Sequence, residues 1–281
     1  MVRFFGIIVG LGFVAALIFS IIGSLPFEAA EHSAVQEFHK EPRKLALASD
    51  GPLGKFNKQQ VQRGLQVYTE VCSACHSLSL VSFRDIAALG YNEGQVKSFA
   101  AAHEVPSIDP DTGEPATRPG LPKDHFPSPY PNEVAARAAN NNALPPDLSL
   151  ITKAREGGAP YVYSLLTGYR NPATYRNENG QALPADNKPG TGLHFNPWFA
   201  NLNLAMAPPL TSEGQVTYGP GNPKPTVEQM AKDVAAFLVW TAEPKLESRH
   251  AVGWAALAFL LIFTVLTYLS YRQIWAEKKG P

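Results

Sequence analysis

Cysteine is nearly absent: the 281 residues contain two. That excludes a disulfide-stapled scaffold and a zinc site built on four cysteines. Net charge is absent as well, because 24 basic side chains face 24 acidic ones. A nucleic-acid binder needs a basic excess to meet phosphates, so no nucleic-acid partner is expected. Charged residues make up 17%, against roughly 25% in soluble domains. No internal repeat and no alternating strand pattern stands out. Methionine is also rare, with three copies, of which Met1 is the initiator.

What is present is a pair of apolar runs around a polar middle. Residues 4–27 carry no charge, and 24 residues can span a hydrocarbon core of about 30 Å. Arg3 and the terminal amine precede this run, which places that end in the cytoplasm by the positive-inside rule. A cleaved secretory signal is the alternative. Its apolar core usually covers only about 7–15 residues. Neither Glu28 with Ala30 nor Phe27 with Ala29 makes a small-x-small cleavage site. Residues 1–27 are therefore read as an anchor, with a signal as the alternative. Residues 251–271 form a second uncharged run, with Trp254 near one end and Tyr268, Tyr271 and Trp275 near the other. That arrangement matches the aromatic belts of membrane helices. Arg272, Lys278 and Lys279 follow, so the tail 272–281 is expected in the cytoplasm and residues 28–250 outside it. The flanks hold Arg3, Arg272, Lys278 and Lys279 against Glu277, which leaves 20 basic and 23 acidic residues in 28–250, a net −3.

Twenty of the 25 prolines lie between Pro106 and Pro225. Proline fixes φ and removes a donor, so long helices and central strands are not expected there. Apolar residues such as Tyr161, Tyr163, Leu165, Phe195, Trp198 and Leu202 are scattered through this stretch and need a body to pack on. Helical periodicity brackets it. Val61, Leu65, Tyr68 and Cys72 share one face, with Asn57 and Gln60 resembling a capping box. Val227, Met230, Val234, Phe237 and Leu238 share another, with Thr226 and Gln229 as the box and Pro244 as the stop. A shorter helix is expected near 161–166.

The first of these helices runs into Cys72-Ser73-Ala74-Cys75-His76. Cys-x-x-Cys-His is the attachment signature of c-type haem. Cysteines three apart on a helix share a face, so both sulfurs can form thioethers to one porphyrin while His76 meets the iron. A thioredoxin-like redox pair would need a βαβ context, and a zinc site would need two further ligands. Tyr68 either packs near the ring or serves the core. For the sixth iron ligand, a methionine thioether raises the potential and suits electron transfer. Met230 reads as core filler on its helix. Met206, in Ala205-Met206-Ala207-Pro208-Pro209-Leu210, is the preferred ligand, with His194 or an open site as alternatives. His32, His39, His103, His125 and His250 are read as surface residues.

Taken together, RGLQVYTEVCSACHSL from Arg63, LPPDLSLITKAREGGAPYVYSLLTGY from Leu144, AMAPPL from Ala205 and VEQMAKDVAAFLVWTAEPKLESRH from Val227 resemble the cytochrome c1 family. These are the haem-bearing subunits of cytochrome bc1 complexes, the ubiquinol–cytochrome c oxidoreductases. The resemblance implies a mainly α c-type cytochrome domain, with long Pro-rich loops wrapping one haem c, and a C-terminal transmembrane helix. It implies Cys72 and Cys75 on the haem, His76 and Met206 on the iron, and Arg155 and Tyr161 near the propionates. Pro146 and Asn140 match positions that line the haem. The implied role is electron transfer from the Rieske iron–sulfur protein to a soluble or membrane-anchored cytochrome c, beside cytochrome b. On its own such a subunit is not an enzyme. The implied setting is a bacterial cytoplasmic membrane, with the lipid bilayer around the helices and the haem domain in the periplasm. A c-type subunit of another membrane redox complex, such as a terminal oxidase, is the alternative. Some bacterial relatives brace the loop near the methionine with an extra cysteine pair, which this chain lacks. The acidic cluster Glu104, Asp109, Asp111 and Glu114 either steers a basic cytochrome c or forms a solvated loop.

Thioethers survive denaturation, so the chain should give a haem-staining band on a denaturing gel. A band without stain would return Cys72 and Cys75 to the free-thiol readings.

Overall fold

The computed structural model describes residues 2–24, 33–276 and 278. Met1, Phe27, Glu28, Ala29, Ala30, His32, Glu277 and Lys279, which entered the reading of the two ends and of the histidines, lie outside the described residues. The fold is mainly helical. α1 is Val2–Ser24, α2 Ala34–Phe38 and α3 Lys58–Glu70. A 3-10 turn covers Cys72–Ala74, and a second covers Phe83–Leu89. α4 is Glu93–Ala101, followed by the antiparallel pair β1 (Glu104–Ile108) and β2 (Pro115–Pro119). α5 (Glu133–Ala139), α6 (Ile151–Ala154) and α7 (Gly158–Leu166) come next. A two-residue antiparallel pair, β3 (His194–Phe195) and β4 (Asn203–Leu204), precedes α8 (Val227–Ala242) and α9 (Leu246–Ala276).

The core forms where α3 packs on α8, with α6 and α7 packed on α8 as well. Val61, Leu65 and Tyr68 of α3 meet Met230, Val234 and Phe237 of α8, all fully buried. The crossing is close because Gly64 has no side chain. A Cβ there would come within 2.1 Å of the Asp233 carbonyl oxygen and 2.6 Å of Phe237 Cβ. Beside it, Arg63 grips the buried Asp233 with two hydrogen bonds, Nε to Oδ2 at 2.8 Å and Nη2 to Oδ1 at 3.2 Å. Asn57 accepts from the Gln60 N–H at 3.1 Å and Thr226 from the Gln229 N–H at 3.1 Å, so both helices are capped. The Gln229 amide goes to Asp233 at 2.8 Å, where it joins the Arg63 grip.

α1 and α9 are each long and apolar enough to cross a membrane, and their apolar side chains are exposed. α9 begins just after Pro244, which ends α8. Its first turns are tied to the segment before α3, by Phe56 N–H to Glu247 at 2.9 Å and Trp254 Nε1 to the Pro52 carbonyl at 3.0 Å.

The strand pairs depart from the expectation that no strand stands out. β1 and β2 contain Pro106, Pro115 and Pro119, which a two-stranded ribbon tolerates because each strand has a free edge. Their tip carries Asp109, Asp111 and Glu114, and Asp109 accepts from the N–H of Asp111 at 2.8 Å. His103 is also not a surface residue. It is half-buried among Phe83, Phe99 and Phe126, its Nδ1 2.8 Å from the Phe99 carbonyl. His250 is half-buried as well.

Gly64→Ala tests the crossing. Helix propensity alone would favour Ala by about 1 kcal/mol. Overpacking against a carbonyl typically costs about 1–3 kcal/mol and should win. A lower unfolding midpoint is expected in calorimetry of the detergent-solubilised chain. A raised midpoint would mean the two helices can separate without cost.

Candidate functional site

The site grows from the end of α3. The helix stops at Glu70, and Cys72–Ala74 tightens into a 3-10 turn, with Cys75 N–H bonded to the Cys72 carbonyl at 3.1 Å. The α-helix expected through the motif is therefore replaced by a tighter coil. In that geometry residues i and i+3 eclipse, so the two cysteines still share a side. The His76 N–H also returns to the Cys72 carbonyl, at 2.9 Å. Tyr68, one turn back and 1% exposed, donates its hydroxyl to the His76 carbonyl at 2.9 Å. Its ring lies between Phe126 and Phe237, so its packing is that of a core residue.

The His76 ring is held by a segment 70 residues further on. Its Nδ1 lies 2.8 Å from the Pro146 carbonyl, an acceptor that makes Nδ1 the protonated nitrogen. Nε2 then carries the free lone pair that a metal requires. Burial lowers the His76 pKa, against smaller opposing effects of the Pro146 hydrogen bond and Asp147, and so favours the neutral ring. Pro146 thus acts through its backbone, behind the imidazole.

The next residue, Asp147, secures that segment. It accepts from Ser77 Oγ at 2.8 Å, from the Ser79 N–H at 2.7 Å and from the Ser149 N–H at 2.8 Å. Burial raises its pKa, but the hydrogen bonds from Ser149, Ser79 and Ser77 outweigh that and leave it below the usual carboxylate value. Leu148 N–H adds a bond to the Ser77 carbonyl at 2.9 Å, and Ser149 Oγ accepts from Leu80 N–H at 3.1 Å. Sequence reasoning missed Asp147. Only its local bond, an Asx turn to the Ser149 N–H, could have been anticipated from sequence.

Further along the chain, Tyr161 and Arg155 are electrostatic neighbours. Burial raises the Tyr161 pKa while Arg155 lowers it. Arg155 is exposed, and its Nη1 donates locally to the Ala154 carbonyl at 3.1 Å. Tyr169 lies near Tyr161 and donates its hydroxyl to the Met206 carbonyl at 3.0 Å. Burial raises the Tyr169 pKa, so the phenol stays a donor. Met206 is half-buried, two residues beyond β4. The turn into β4 passes through Leu202 at φ 69°, a left-handed conformation that costs a non-glycine residue about 1–3 kcal/mol. Full burial of the Leu202 side chain and a 2.7 Å bond from Asn196 N–H to its carbonyl hold it there. His194, on β3, meets the Tyr169 ring edge-on at 6.5 Å. Asn140 ends α5 and donates to the Tyr130 hydroxyl at 2.9 Å and the Ala136 carbonyl at 2.7 Å. Among the described residues no hydrogen bond joins it to His76.

The chemistry of this donor set can be tested against its rivals. Burial, with a smaller push from Cys75, raises the Cys72 thiol to about 12. A thiol–disulfide oxidoreductase needs the opposite shift. Among the described residues no group of three His, Cys, Asp or Glu side chains could hold a bare metal ion. Two cysteines on one side of a 3-10 turn, the first of them a weakly acidic thiol, followed by an imidazole whose Nε2 makes no hydrogen bond among the described residues, fit a covalently held haem.

A helical domain built around a Cys-x-x-Cys-His turn and carried on a long apolar helix defines a class, the membrane-anchored c-type cytochromes. Comparison with known proteins narrows it. The family model described as the cytochrome C1 family matches residues 47–278, and the chain belongs to that family. It is 46% identical over 231 residues to cytochrome c1-2, heme protein, mitochondrial, of Solanum tuberosum, covering 82% of this chain and 84% of that protein. It is 42% identical over 234 residues to cytochrome c1 of Rhodospirillum rubrum, covering 82% and 85%. A third relative, cytochrome b/c1 of Bradyrhizobium diazoefficiens, is 40% identical over 276 residues, which is 91% of this chain but 38% of that protein. The chain is thus a c1-type haem electron-transfer subunit, and haem c is the cofactor of its family.

Asp147→Ala should lower stability by about 3 kcal/mol or more, since a charge-assisted hydrogen bond is worth roughly 1.5–3 kcal/mol and Asp147 accepts three. The unfolding midpoint of the haem-loaded chain measures this. A native midpoint would show that the 146–149 segment stays docked without it.

Proposed function

We propose that this chain takes electrons singly from a Rieske iron–sulfur protein and passes them to a soluble or membrane-anchored cytochrome c, in a complex with cytochrome b. The observation that carries the reading is the His76 ring. Its Nδ1 is committed to the Pro146 carbonyl and its Nε2 is open, one residue after a cysteine pair whose first thiol is too weakly acidic for thiol chemistry. Cys72 and Cys75 would hold the haem, His76 and Met206 would bind its iron, and Arg155 and Tyr161 would face its propionates. When bound, haem c supplies a one-electron ferric–ferrous couple.

The protein's part is to bind, orient and exclude water. Tyr68 and Asp147 fix the turn that carries His76. The Pro146 carbonyl sets the tautomer. The buried aromatic rings behind α3 keep that side dry. No general acid or base is required, and the quinol chemistry belongs to cytochrome b. The paired name of the Bradyrhizobium relative supports that partnership. By the positive-inside rule, the N-terminal end of α1 and the tail after α9 lie in the cytoplasm and the haem domain on the periplasmic side of a bacterial membrane. The acidic tip of the β1–β2 hairpin, with the net −3 of residues 28–250, favours approach of a basic cytochrome c.

Purification of the tagged chain in mild detergent tests this reading. A b-type haem, a Rieske centre and inhibitor-sensitive quinol–cytochrome c reductase activity should accompany it. Haem c arriving without them, under conditions that keep such complexes intact, would assign the chain to another redox assembly.

A further inference from the structure

We infer that Tyr169 is a positioning residue for the iron-ligand loop, and that its hydroxyl holds the Met206 thioether in place. The inference rests on the reading of Met206 as a ligand. A thioether has no charge and no hydrogen-bond donor to aim it, so its position depends on the backbone that carries it. That backbone has few means of its own. Ala205 and Ala207 offer no polar side chain, and Pro208 and Pro209 have no N–H to donate. The only cysteines are Cys72 and Cys75, so no disulfide can brace the loop.

One brace remains. Tyr169 donates to the Met206 carbonyl at 3.0 Å across 37 residues of sequence. Among the described residues it is the only side-chain hydrogen bond onto residues 205–208. The donor is itself fixed on both sides. At Gly168 a Cβ would meet the Ser164 carbonyl oxygen and Trp198 Cε3, each at 2.4 Å, so this backbone sits hard against its neighbours. At Arg170 the N–H bonds to the Phe195 carbonyl at 3.3 Å, and the guanidinium lies over the Trp198 ring at 5.6 Å. A rigid platform thus presents one phenol to the Met206 carbonyl itself, while the next side-chain bond onto the loop, Gln215 Nε2 to the Pro209 carbonyl at 2.8 Å, lies three residues further on.

Tyr169→Phe in the full haem-loaded chain tests the inference, because it removes one oxygen and keeps the ring that packs against His194. Three readouts follow the iron site: the long-wavelength thioether-to-ferric-iron band, carbon monoxide binding to the reduced form, and the midpoint potential. The expected result is a weakened band, a lower potential and a fraction open to carbon monoxide that rises roughly three- to tenfold, the ratio that one ordinary hydrogen bond commands. Haem content should stay native. Met206→Ala is measured alongside and should abolish the band. If Met206→Ala keeps the band, the ligand reading itself fails. If Met206→Ala loses it while Tyr169→Phe keeps native band, carbon monoxide binding and potential, the positioning role is overturned. A change confined to the unfolding midpoint would also overturn it, since that is all a structural hydrogen bond would move.

Discussion

The closeness of α3 to α8 at Gly64 sets the geometry of everything downstream. With no Cβ at that point, the α3 backbone can lie on the Asp233 carbonyl, and the side chains on either side interlock. α3 then ends in the core, and the cysteine turn leaves it at a defined place. Tyr68 transmits that placement one turn further, because its ring is part of the packed crossing while its hydroxyl holds the His76 carbonyl. The Arg63–Asp233 pair lies at the same crossing. A buried pair of this kind adds little over an apolar substitute, but breaking it by removing one partner costs about 3–5 kcal/mol. Its contribution is register: a slide of α3 along α8 would strand Asp233, which is wholly buried.

The Pro-rich loops solve a different problem. A segment without helix or sheet must still pair its backbone groups, and prolines reduce what it can donate. The 146–149 segment does so by spending its groups on the cysteine turn. The Pro146 carbonyl goes to the His76 ring, the Leu148 N–H to the Ser77 carbonyl, and the Asp147 carboxylate to Ser77, Ser79 and Ser149. These bonds order the loop and orient the imidazole together, so neither is independent of the other. The loop is part of the site's construction as well as its cover.

Much of this was legible in the sequence where the signal is local. α3 and α8 show their apolar periodicity and their N-caps are the expected Asn57 and Thr226, though the return bonds from Gln60 and Gln229 that would complete each capping box are not made; the short helix near 161–166 is present as α7, and Met230 is core filler. The Cys-x-x-Cys-His turn is read from five adjacent residues. What escaped was long-range or irregular. Nothing near Asp147 in sequence announces that its partners include Ser77 and Ser79, nearly seventy residues away. His103 looks like any polar residue beside an acidic hairpin until Phe83 and Phe126 are brought around it. β3 and β4 have two residues each, too short for alternation to register, and their pairing depends on the turn through Leu202. The resemblance to cytochrome c1 pointed to Pro146 as a lining residue. The part played by its carbonyl needed coordinates.

The two sides of the proposed site are built with unequal rigidity. The His76 side stands on the α3–α8 core, with the ring, the carbonyl and the N–H of His76 each bonded and with Asp147 stabilising the segment behind. The Met206 side hangs from a two-residue strand and a strained turn, and is tied to the rest of the domain by the Tyr169 phenol at Met206, the Gln215 amide at Pro209 and the buried Leu204 and Leu210. Strain and sparse contacts place a segment at the low end of local stability. On the proposed ligand set, opening would therefore begin at the methionine while the histidine stays in place. The free energy that keeps such a centre six-coordinate, and with it the potential that a thioether confers, would be decided by the few contacts of residues 202–209. The larger core behind His76 would keep the haem attached and oriented throughout.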